Sequence, residues 1–421
     1  METPAFYLTD KFIAELWERI NSPGEAIIPL SGNGTELSVG GIPSREHLAL
    51  LLDAVFWASY EKEEGVAVTV SLIYKKPEQM ADSFCFDRPL VLHPRNMVKL
   101  GTALENPRAH INIWPDEQGE LRIWGFKTGS DDFITTDLWV QALGPGCVLV
   151  TYGGRGLAAL TGNRAVFVDP GVLMKTIMPK IAPQVRPGEL NLQGILRYNS
   201  LLYIAQAMRA HGHGGTVLAV PENSDWRKSI RHPVTYTGGT SFLDANIELS
   251  PPDEDLAKGQ KSFFEMIKNV FTRRQDKFSI ARNHIREQCN RIARLTAVDG
   301  ALIMSFDRYT YCFGAKIQQV EAMPAAAADL HIRKPVEGFL EATLNISDLG
   351  GTRHQSAAQF AYDQPRAIAV VASQSGEVTF FTREEEDGAL LAVQQAELAL
   401  LHEGLSGALW NISLFSKLMP S

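Results

Sequence analysis

Hydrophobic residues recur along the first 220 positions with alternating helical and strand-like spacing. Apolar side chains follow a helical period over residues 9–21, 44–60 and 195–211. Runs of apolar, often β-branched residues bounded by glycine and proline predict strands at 66–74, 111–114, 121–126, 147–152, 165–168 and 216–220. This mixture predicts an α+β or α/β domain.

A polar, turn-rich stretch over residues 223–255 follows this pattern and contains several prolines and a glycine pair. Domain boundaries usually fall in segments of such composition. We therefore predict an N-terminal domain at 1–250, a linker at 251–260, a second domain at 261–405 and a C-terminal tail at 406–421.

A long helical pattern opens the second predicted domain, from residue 261 to 296. A strand is predicted at 301–306, and a turn at Asp307 and Arg308 leads into a hairpin partner at 309–317. Further apolar runs predict strands at 339–345, 367–372 and 378–382 and helices at 355–362 and 390–403. The pattern is typical of an α/β domain in which a long helix leads into a mixed sheet.

Composition narrows the class of protein. The chain has 421 residues, 45% of them hydrophobic and 21% charged, as expected for a soluble protein of two domains. Its formal net charge of −8 argues against a general nucleic-acid binder, which needs a cationic surface, but is compatible with a local basic pocket for one nucleotide.

Cysteine spacing and hydropathy indicate the cellular compartment of the protein. The four cysteines are widely spaced and form no CxxC pair, so reduced thiols fit better than two disulfides, which remain the alternative. No apolar run approaches the ~20 residues of a membrane span, and no signal peptide is visible. We expect a cytoplasmic protein without a membrane span.

Two short motifs lie where predicted elements meet. The first, between the long helix and its strand, is Asp299, Gly300 and Ala301. The second, at a loop-to-helix junction, is Gly351, Thr352, Arg353 and His354. The free N–H groups and dipole of a helix start favour phosphate, and an adjacent arginine can pair with it. A carboxylate such as Asp299 is a ligand that Mg²⁺ prefers. Either motif alone also fits an ordinary turn.

The order of these motifs resembles the diadenylate cyclase family. In that family DGA opens a hairpin, GTRHRAA begins a helix, and an apolar strand then ends in an acidic pair before Thr-Gly. The corresponding segments here are AVDGALIMSFDRYTYCFGAKI at 297–317, LGGTRHQSAAQFAYD at 349–363 and AIAVVASQSGEVTFF at 367–381. The resemblance extends over residues 263–400.

The resemblance implies an activity and its partners. Each domain would bind one ATP, and two domains would face each other, so that each 3′-hydroxyl attacks the α-phosphate of the opposing nucleotide. The product is cyclic di-AMP, a second messenger in signalling, and pyrophosphate is released. A homodimer or higher homo-oligomer is implied, together with Mg²⁺ or Mn²⁺.

The resemblance also implies roles for the motif residues. Asp299 would bind the metal ion and lie near the attacking hydroxyl, while Gly300 and Ala301 would allow the nucleotide to approach closely. The residues implied to contact the nucleotide at the second motif are Gly351, Thr352, Arg353, His354 and Gln355. The residues implied to be catalytic are Asp299, Arg353 and His354.

Two positions depart from the family pattern. Gln355 stands where the family has a second arginine, so one permanent positive charge is missing. Ser373 and Gln374 stand in place of the acidic pair. Losing one charge-assisted contact typically costs ~1.5–3 kcal/mol. The alternative hypothesis is therefore a catalytically degenerate sensor that binds ATP or a cyclic dinucleotide without turnover.

The N-terminal region is interpreted through the same resemblance. Some members of the family carry a variable sensor domain ahead of the cyclase, and residues 1–250 are predicted to be such a domain. His211 and His213 form an HxH pair in a glycine-rich segment. This pair is interpreted as part of a turn between helix and strand, with a metal site as the alternative.

Overall fold

The computed structural model describes most of the chain between residues 8 and 400. The residues outside this description are 1–7, 22–40, 64–65, 68–69, 80–82, 104–109, 128–136, 153–154, 163, 183–191, 236–274, 321–328, 385–387 and 401–421. The predicted linker at 251–260 and the predicted tail at 406–421 lie outside the described residues.

The described residues form two compact units, one ending at Asp169 and the other spanning Pro170–Leu400. The helices of the first unit are α1 (Asp10–Asn21), α2 (Arg45–Ala58) and α3 (Pro94–Ala103). Its strands are β1 (Lys62–Glu63), β2 (Val66–Ala67), β3 (Ser71–Tyr74), β4 (Ser83–Val91), β5 (His110–Pro115), β6 (Leu121–Lys127), β7 (Leu138–Gly144), β8 (Cys147–Tyr152), β9 (Arg155–Thr161) and β10 (Arg164–Phe167).

The first unit is built on an eight-stranded sheet in the order β10-β9-β8-β7-β3-β5-β6-β4, and β1 pairs separately with β2. Strands β3 and β5 are parallel, and the other neighbours in the large sheet are antiparallel. Residues at every second position, such as Leu72, Ile111 and Val140, form one core with the apolar faces of the three helices. The period of two in these strands therefore directs one sheet face to the helices.

The second unit contains α4 (Gly171–Ile181), α5 (Leu192–His211), α6 (Gln275–Leu295), α7 (Thr352–Asp363) and α8 (Glu397–Leu400). Its strands are β11 (Gly215–Val220), β12 (Ile230–Arg231), β13 (Val234–Thr235), β14 (Ala301–Ser305), β15 (Thr310–Ile317), β16 (Asp329–Arg333), β17 (Ala342–Asn345), β18 (Ile368–Ala372), β19 (Val378–Arg383) and β20 (Leu390–Val393). They form a ten-stranded mixed sheet in the order β12-β15-β14-β11-β18-β19-β20-β16-β17, with β13 paired to β15.

Helices cover both faces of this second sheet. Val217 and Leu302 point into a core shared with α4, α5, α6 and α8. Leu218 and Ile303, the next residues along the same strands, point into a core shared with α7. The central strands are buried on both faces, which explains their continuous apolar runs. The predicted mixed α/β fold class is confirmed.

The N-terminal extent of the second unit differs from the prediction. The strand predicted at 216–220 exists as β11, but it lies between β14 and β18 in the second sheet. Helix α5 contributes to the same core. The two compact units therefore divide between Asp169 and Pro170, whereas the predicted domains divide at 251–260. A polar, turn-rich composition does not by itself mark the border of a core.

The predicted helix at 390–403 is wrong over its first residues. Leu390–Val393 form strand β20, which pairs with β19 on one side and β16 on the other, and a helix follows only at Glu397–Leu400. All four strand residues are buried. The predicted hairpin at 301–317 is confirmed as the antiparallel pair β14 and β15. Among the described helices, none combines the length and apolarity needed to cross a membrane.

Candidate functional site

The Asp299 motif lies in the turn that joins α6 to β14. Gly300 has φ +111°, and a Cβ at this position would lie 2.5 Å from the carbonyl carbon of Gly314 on the partner strand of the hairpin. Only glycine satisfies both the backbone angle and this close approach. Asp299 itself is exposed, and no described residue pairs with its carboxylate. The carboxylate is therefore available to a ligand, while Ala301 is buried as the first residue of β14.

The second motif begins helix α7. Gly351 precedes the helix with φ +80°, and no side chain caps the first turn. Thr352 is exposed, and Arg353 and His354 are half-buried. The first N–H groups of a helix have no partners within the helix and carry the positive end of its dipole. The start of α7 therefore has the properties of an anion-binding site, with an arginine in its first turn.

Strand register places the Asp299 turn beside the start of β11. Strands β11 and β14 are parallel, with Thr216 opposite Ala301. Both strands therefore begin at the same edge of the sheet. The last residue of β18, Ala372, lies opposite Gly215 and reaches this edge from the other direction.

Arg353 reaches the same edge. A Cβ on Gly214 would lie 2.8 Å from Nη1 of Arg353 and 3.2 Å from the carbonyl oxygen of Ala372. The guanidinium is therefore next to the residue that precedes β11, while Asp299 lies in the turn that precedes the adjacent β14. Within the described part of the chain Arg353 forms no ion pair. The two motifs, distant in sequence, therefore lie at the same edge of the second sheet, where β11 and β14 begin.

His354 contributes a neutral ring to this region. Its ring packs edge-on against Phe381, with 6.0 Å between the ring centroids. Burial lowers the pKa of His354, and the carboxylate of Glu377 opposes this shift only in part. The imidazole can therefore donate a hydrogen bond to a phosphate without adding a full positive charge near neutral pH.

Gln355 uses its amide within the preceding loop. Its Nε2 donates to the carbonyl oxygens of Ser347 at 3.3 Å and Leu349 at 3.1 Å. Both N–H groups of the amide are thus directed at the turn that leads into α7. The structure gives Gln355 a role in holding this loop, which the sequence alone did not indicate.

The turn between β18 and β19 has the hydroxyl of Ser373 and the amide of Gln374 in place of the acidic pair of the resembled family. The Oγ of Ser373 accepts from the Glu377 N–H at 3.0 Å and lies 2.8 Å from Oγ of Ser375. Gly376 adopts φ +88°, and Arg209 Nε donates to its carbonyl oxygen at 2.9 Å. Glu377 is exposed and is the carboxylate that acts on the pKa of His354.

Metal-ligating side chains are sparse in this region. No group of three or more His, Cys, Asp or Glu residues that could hold a metal ion occurs in the part of the chain that the structure describes. Mg²⁺ in nucleotide sites is commonly held by one or two carboxylates together with substrate phosphates. The exposed carboxylate of Asp299 fits that role, whereas a metal centre made of protein ligands alone does not fit these residues.

Sequence reasoning did not identify Glu397 as a notable residue. Glu397 is buried, and its Oε2 accepts a hydrogen bond from the Val378 N–H at 2.8 Å. Burial raises the pKa of Glu397 to about 7, against the lowering effect of that hydrogen bond. Arg209 and Glu377 also act on its charge, so Glu397 lies behind the β18–β19 turn. No local sequence signal distinguishes this carboxylate from a surface one.

Sequence reasoning also did not identify a buried polar row in the first unit. Ser71 Oγ lies 2.6 Å from Nδ1 of His110 and accepts from Nε2 of Gln141 at 3.0 Å. The His110 ring also packs on Trp139, with 4.4 Å between centroids. The residues lie on β3, β5 and β7, on the sheet face opposite the helix-covered core. Strand pairing, which the sequence does not reveal, brings them together.

Comparison with known families adds one finding. Residues 38–128 match the family described as a probable sensor domain, DACNV, a domain typical of diadenylate cyclases. The matched residues lie in the first unit and include α2, α3 and strands β1 to β6. They do not include the edge formed by Asp299 and Arg353. No curated protein matches the chain.

Proposed function

We propose that this protein is a diadenylate cyclase-like nucleotidyltransferase, which condenses two ATP molecules into cyclic di-AMP under the control of its N-terminal sensor domain. The observation that carries the proposal is the position of Arg353. Its guanidinium lies against Gly214, just before β11, and Asp299 lies in the turn just before the neighbouring strand β14. The match of residues 38–128 to a probable sensor domain typical of diadenylate cyclases supports the regulatory half of the proposal.

The arrangement supports a division of roles at the nucleotide. The N–H groups at the start of α7 and the Arg353 guanidinium bind the phosphates, and His354 donates a further hydrogen bond as a neutral ring. Asp299 holds Mg²⁺ or Mn²⁺, which when bound neutralises phosphate charge. Gly300 allows the Asp299 turn to lie directly against the backbone of Gly314, which fixes the turn beside the hairpin. Catalysis then rests on positioning and charge neutralisation.

The reaction requires two copies of the site. The 3′-hydroxyl oxygen of one ATP forms a bond to the α-phosphorus of the other, the bond from that phosphorus to the bridging oxygen breaks, and pyrophosphate leaves. The proton of the hydroxyl passes to solvent as the bond forms, and the role that we assign to Asp299 is to orient this hydroxyl. Two such steps close the ring, so we propose a homodimer or higher homo-oligomer as the active form.

A second candidate is a sensor that binds ATP or a cyclic dinucleotide without turnover. The Gln355 amide is engaged by the loop, so Arg353 is the permanent cation of the motif. The β18–β19 turn has Ser373 and Gln374 where the resembled family has an acidic pair. Both features weaken the binding of phosphates and metal relative to the family pattern.

One experiment separates these candidates. The full chain is incubated with labelled ATP and Mg²⁺ or Mn²⁺, and ATP binding and cyclic di-AMP are measured in parallel. We expect product with the natural chain, its loss in Asp299→Asn, and its retention in Asp329→Asn, which changes an exposed carboxylate at the start of β16. ATP binding without product would favour the second candidate, and absence of binding would overturn both.

A further inference from the structure

The glycine-rich segment between α5 and β11 lies between the two motifs. A Cβ on Gly215 would lie 2.5 Å from Oγ1 of Thr296, a residue of the turn that leads to Asp299. A Cβ on the preceding Gly214 would meet the guanidinium of Arg353. Two adjacent glycines therefore allow this segment to approach the Asp299 turn with one residue and Arg353 with the other.

A chain of hydrogen bonds fixes the histidine at the end of α5. The backbone N–H of His213 donates to Nδ1 of His211 at 3.2 Å. With Nδ1 as acceptor, the ring proton of neutral His211 is on Nε2, which lies 3.1 Å from Oγ1 of Thr296. Thr296 in turn donates to the carbonyl oxygen of Ala293 at 2.6 Å. The Ala293 carbonyl oxygen also accepts from the Thr296 N–H at 3.0 Å, and a hydrogen bond to the Ala293 backbone acts on the pKa of His211.

The chain of hydrogen bonds links α5 to the Asp299 turn. Thr296 is 2% exposed, so its hydroxyl has little access to water as an alternative partner. Three residues after Thr296 the exposed Asp299 begins the first motif. Arg209, in the same last turn of α5, donates to the Gly376 carbonyl oxygen of the β18–β19 turn. The end of α5 is thus hydrogen-bonded both to the turn that contains Asp299 and to the β18–β19 turn.

The same contacts favour a structural role for His211 over a metal-binding one. A metal ligand needs a free lone pair on a ring nitrogen. Here Nδ1 accepts from the backbone and Nε2 carries the proton. The rings of His211 and His213 are stacked, with 5.6 Å between their centroids. These contacts agree with the interpretation of the HxH pair as part of a turn between helix and strand.

We infer that His211 is a positioning residue of the nucleotide site: through Thr296 it sets the position of the Asp299 turn relative to Arg353. This inference rests on the proposed function for its effect on ATP. The position of the turn itself can be measured without nucleotide. Because the hydrogen-bonded chain runs through two side chains, changes at either one should have the same consequence and should not add.

The test is a double-mutant cycle of His211→Asn and Thr296→Val. Asparagine keeps an acceptor near Nδ1 but is too short to reach Thr296, and valine preserves the shape of Thr296 without its hydroxyl. We expect each change to weaken ATP binding by on the order of five- to tenfold, since each removes the partly buried hydrogen bond between His211 and Thr296. The double variant should be no weaker than either single variant. His331→Asn, which changes a histidine on β16 near Glu341, is the matched control and should bind ATP normally.

A conservative replacement distinguishes positioning from general packing. Glutamine at position 211 places its amide nitrogen near the site of Nε2 and can still donate to Thr296. We expect His211→Gln to recover most of the ATP affinity lost in His211→Asn, and to lose that advantage when Thr296 is valine. Equal affinities of the Gln and Asn variants, or additive losses in the cycle, would overturn the inference.

Hydrogen exchange of peptides covering residues 296–304 in the nucleotide-free chain gives a separate measure. His211→Asn and Thr296→Val should increase exchange there to the same extent, and the double variant no further. Unchanged exchange would overturn the positioning role whatever happens to ATP. If the natural chain binds no ATP while exchange responds as expected, the proposed function fails and the link between His211 and the Asp299 turn stands.

Discussion

The guanidinium of Arg353 lies against the backbone of Gly214, so closely that a Cβ at position 214 would be 2.8 Å from its Nη1 atom. The contact joins the first turn of α7 to the residue that precedes the central strand β11. It therefore connects an arginine in one motif with the edge at which the other motif lies. A side chain at position 214 would occupy the place that the guanidinium takes.

Replacing Gly214 should impair the site more than the fold. Gly214→Ala would push the guanidinium away, and because the arginine tip is flexible, most of the cost falls on Arg353 placement. Gly338 offers a matched control, since it has a similar φ of +70° and a Cβ added there would meet no atom within 4 Å. Both variants should lose roughly 1 kcal/mol of stability from the left-handed backbone.

Calorimetric ATP titration checks the difference between these glycine variants. We expect Gly214→Ala to weaken ATP binding about tenfold, through partial loss of a charge-assisted contact. The loss in Gly338→Ala should be at least about fivefold smaller, because strain alone does not displace Arg353. Equal losses of affinity in the two variants would show that the guanidinium does not depend on this contact.

A substitution at Gln355 tests the effect of the positive charge that the resembled family has at this position. Gln355→Arg adds a permanent cation in the first turn of α7, and its several N–H groups can still donate to the loop carbonyls that Gln355 holds. We expect ATP binding to tighten by about tenfold and to become more sensitive to salt. Gln355→Leu, which loses the loop hydrogen bonds without adding charge, should bind ATP more weakly than the natural chain. Arginine that binds no better than leucine would contradict phosphate binding near this position.

The pKa of Glu397 predicts a pH dependence of stability. Burial raises the pKa of its carboxyl from 4.5 to about 7, so between these values the folded state binds more protons than the unfolded state. The free energy of unfolding should therefore fall as pH rises through this window. Glu397→Gln keeps an oxygen for the Val378 N–H and removes the titration. It should stabilise the second unit at pH 8 by up to about 3 kcal/mol.

Urea unfolding of the natural chain and of this variant between pH 4.5 and 8 measures the change in the free energy of unfolding. Hydrogen exchange in β19 reports the unfolding of the second unit. The natural chain and Glu397→Gln should differ least at the acidic end and most at pH 8. Glu222→Gln, at an exposed position after β11, should leave the pH slope of the natural chain in place. A slope that persists in Glu397→Gln would assign the pH dependence to other groups.

The buried polar row of the first unit predicts a loss of stability. His110→Leu removes the partner of the Ser71 hydroxyl in a buried setting, which typically costs about 1–3 kcal/mol. The Trp139 ring, which packs on His110, allows the change to be followed by fluorescence during urea unfolding. His47→Leu, at a half-buried position at the start of α2, should cost less than about 1 kcal/mol. A stability of His110→Leu equal to the natural chain would show that the row contributes nothing.

Local patterns predicted the features that depend on neighbouring residues. The hairpin of β14 and β15 follows from two apolar runs joined by a short turn. Helix α2 is capped at its N-terminus by Ser44, whose Oγ accepts from the His47 N–H. The two motifs at Asp299 and Arg353 were recognised from their order along the chain. That they share a binding role remains a prediction.

Hydrophobic patterns failed to distinguish helix from strand where a segment is buried on both faces. Leu390–Val393 is buried on both faces between two strands, and a continuous apolar run of this kind is equally compatible with a helix. For the same reason the sequence predicted the strand at 216–220 correctly but not the sheet to which it belongs. Pairing partners are distant along the chain, and a run of valine and leucine does not specify them.

The sequence by itself therefore determined the mixed α/β character of the chain and the tight turn at Gly300. It also determined which kinds of side chain could bind a phosphate. Only the tertiary structure decided that β11 lies beside β14, that Arg353 reaches Gly214, and that His211 is hydrogen-bonded to Thr296. The physical reason is that side-chain periodicity reports which face of an element is buried. The neighbour that buries it is chosen by packing among segments far apart in the chain.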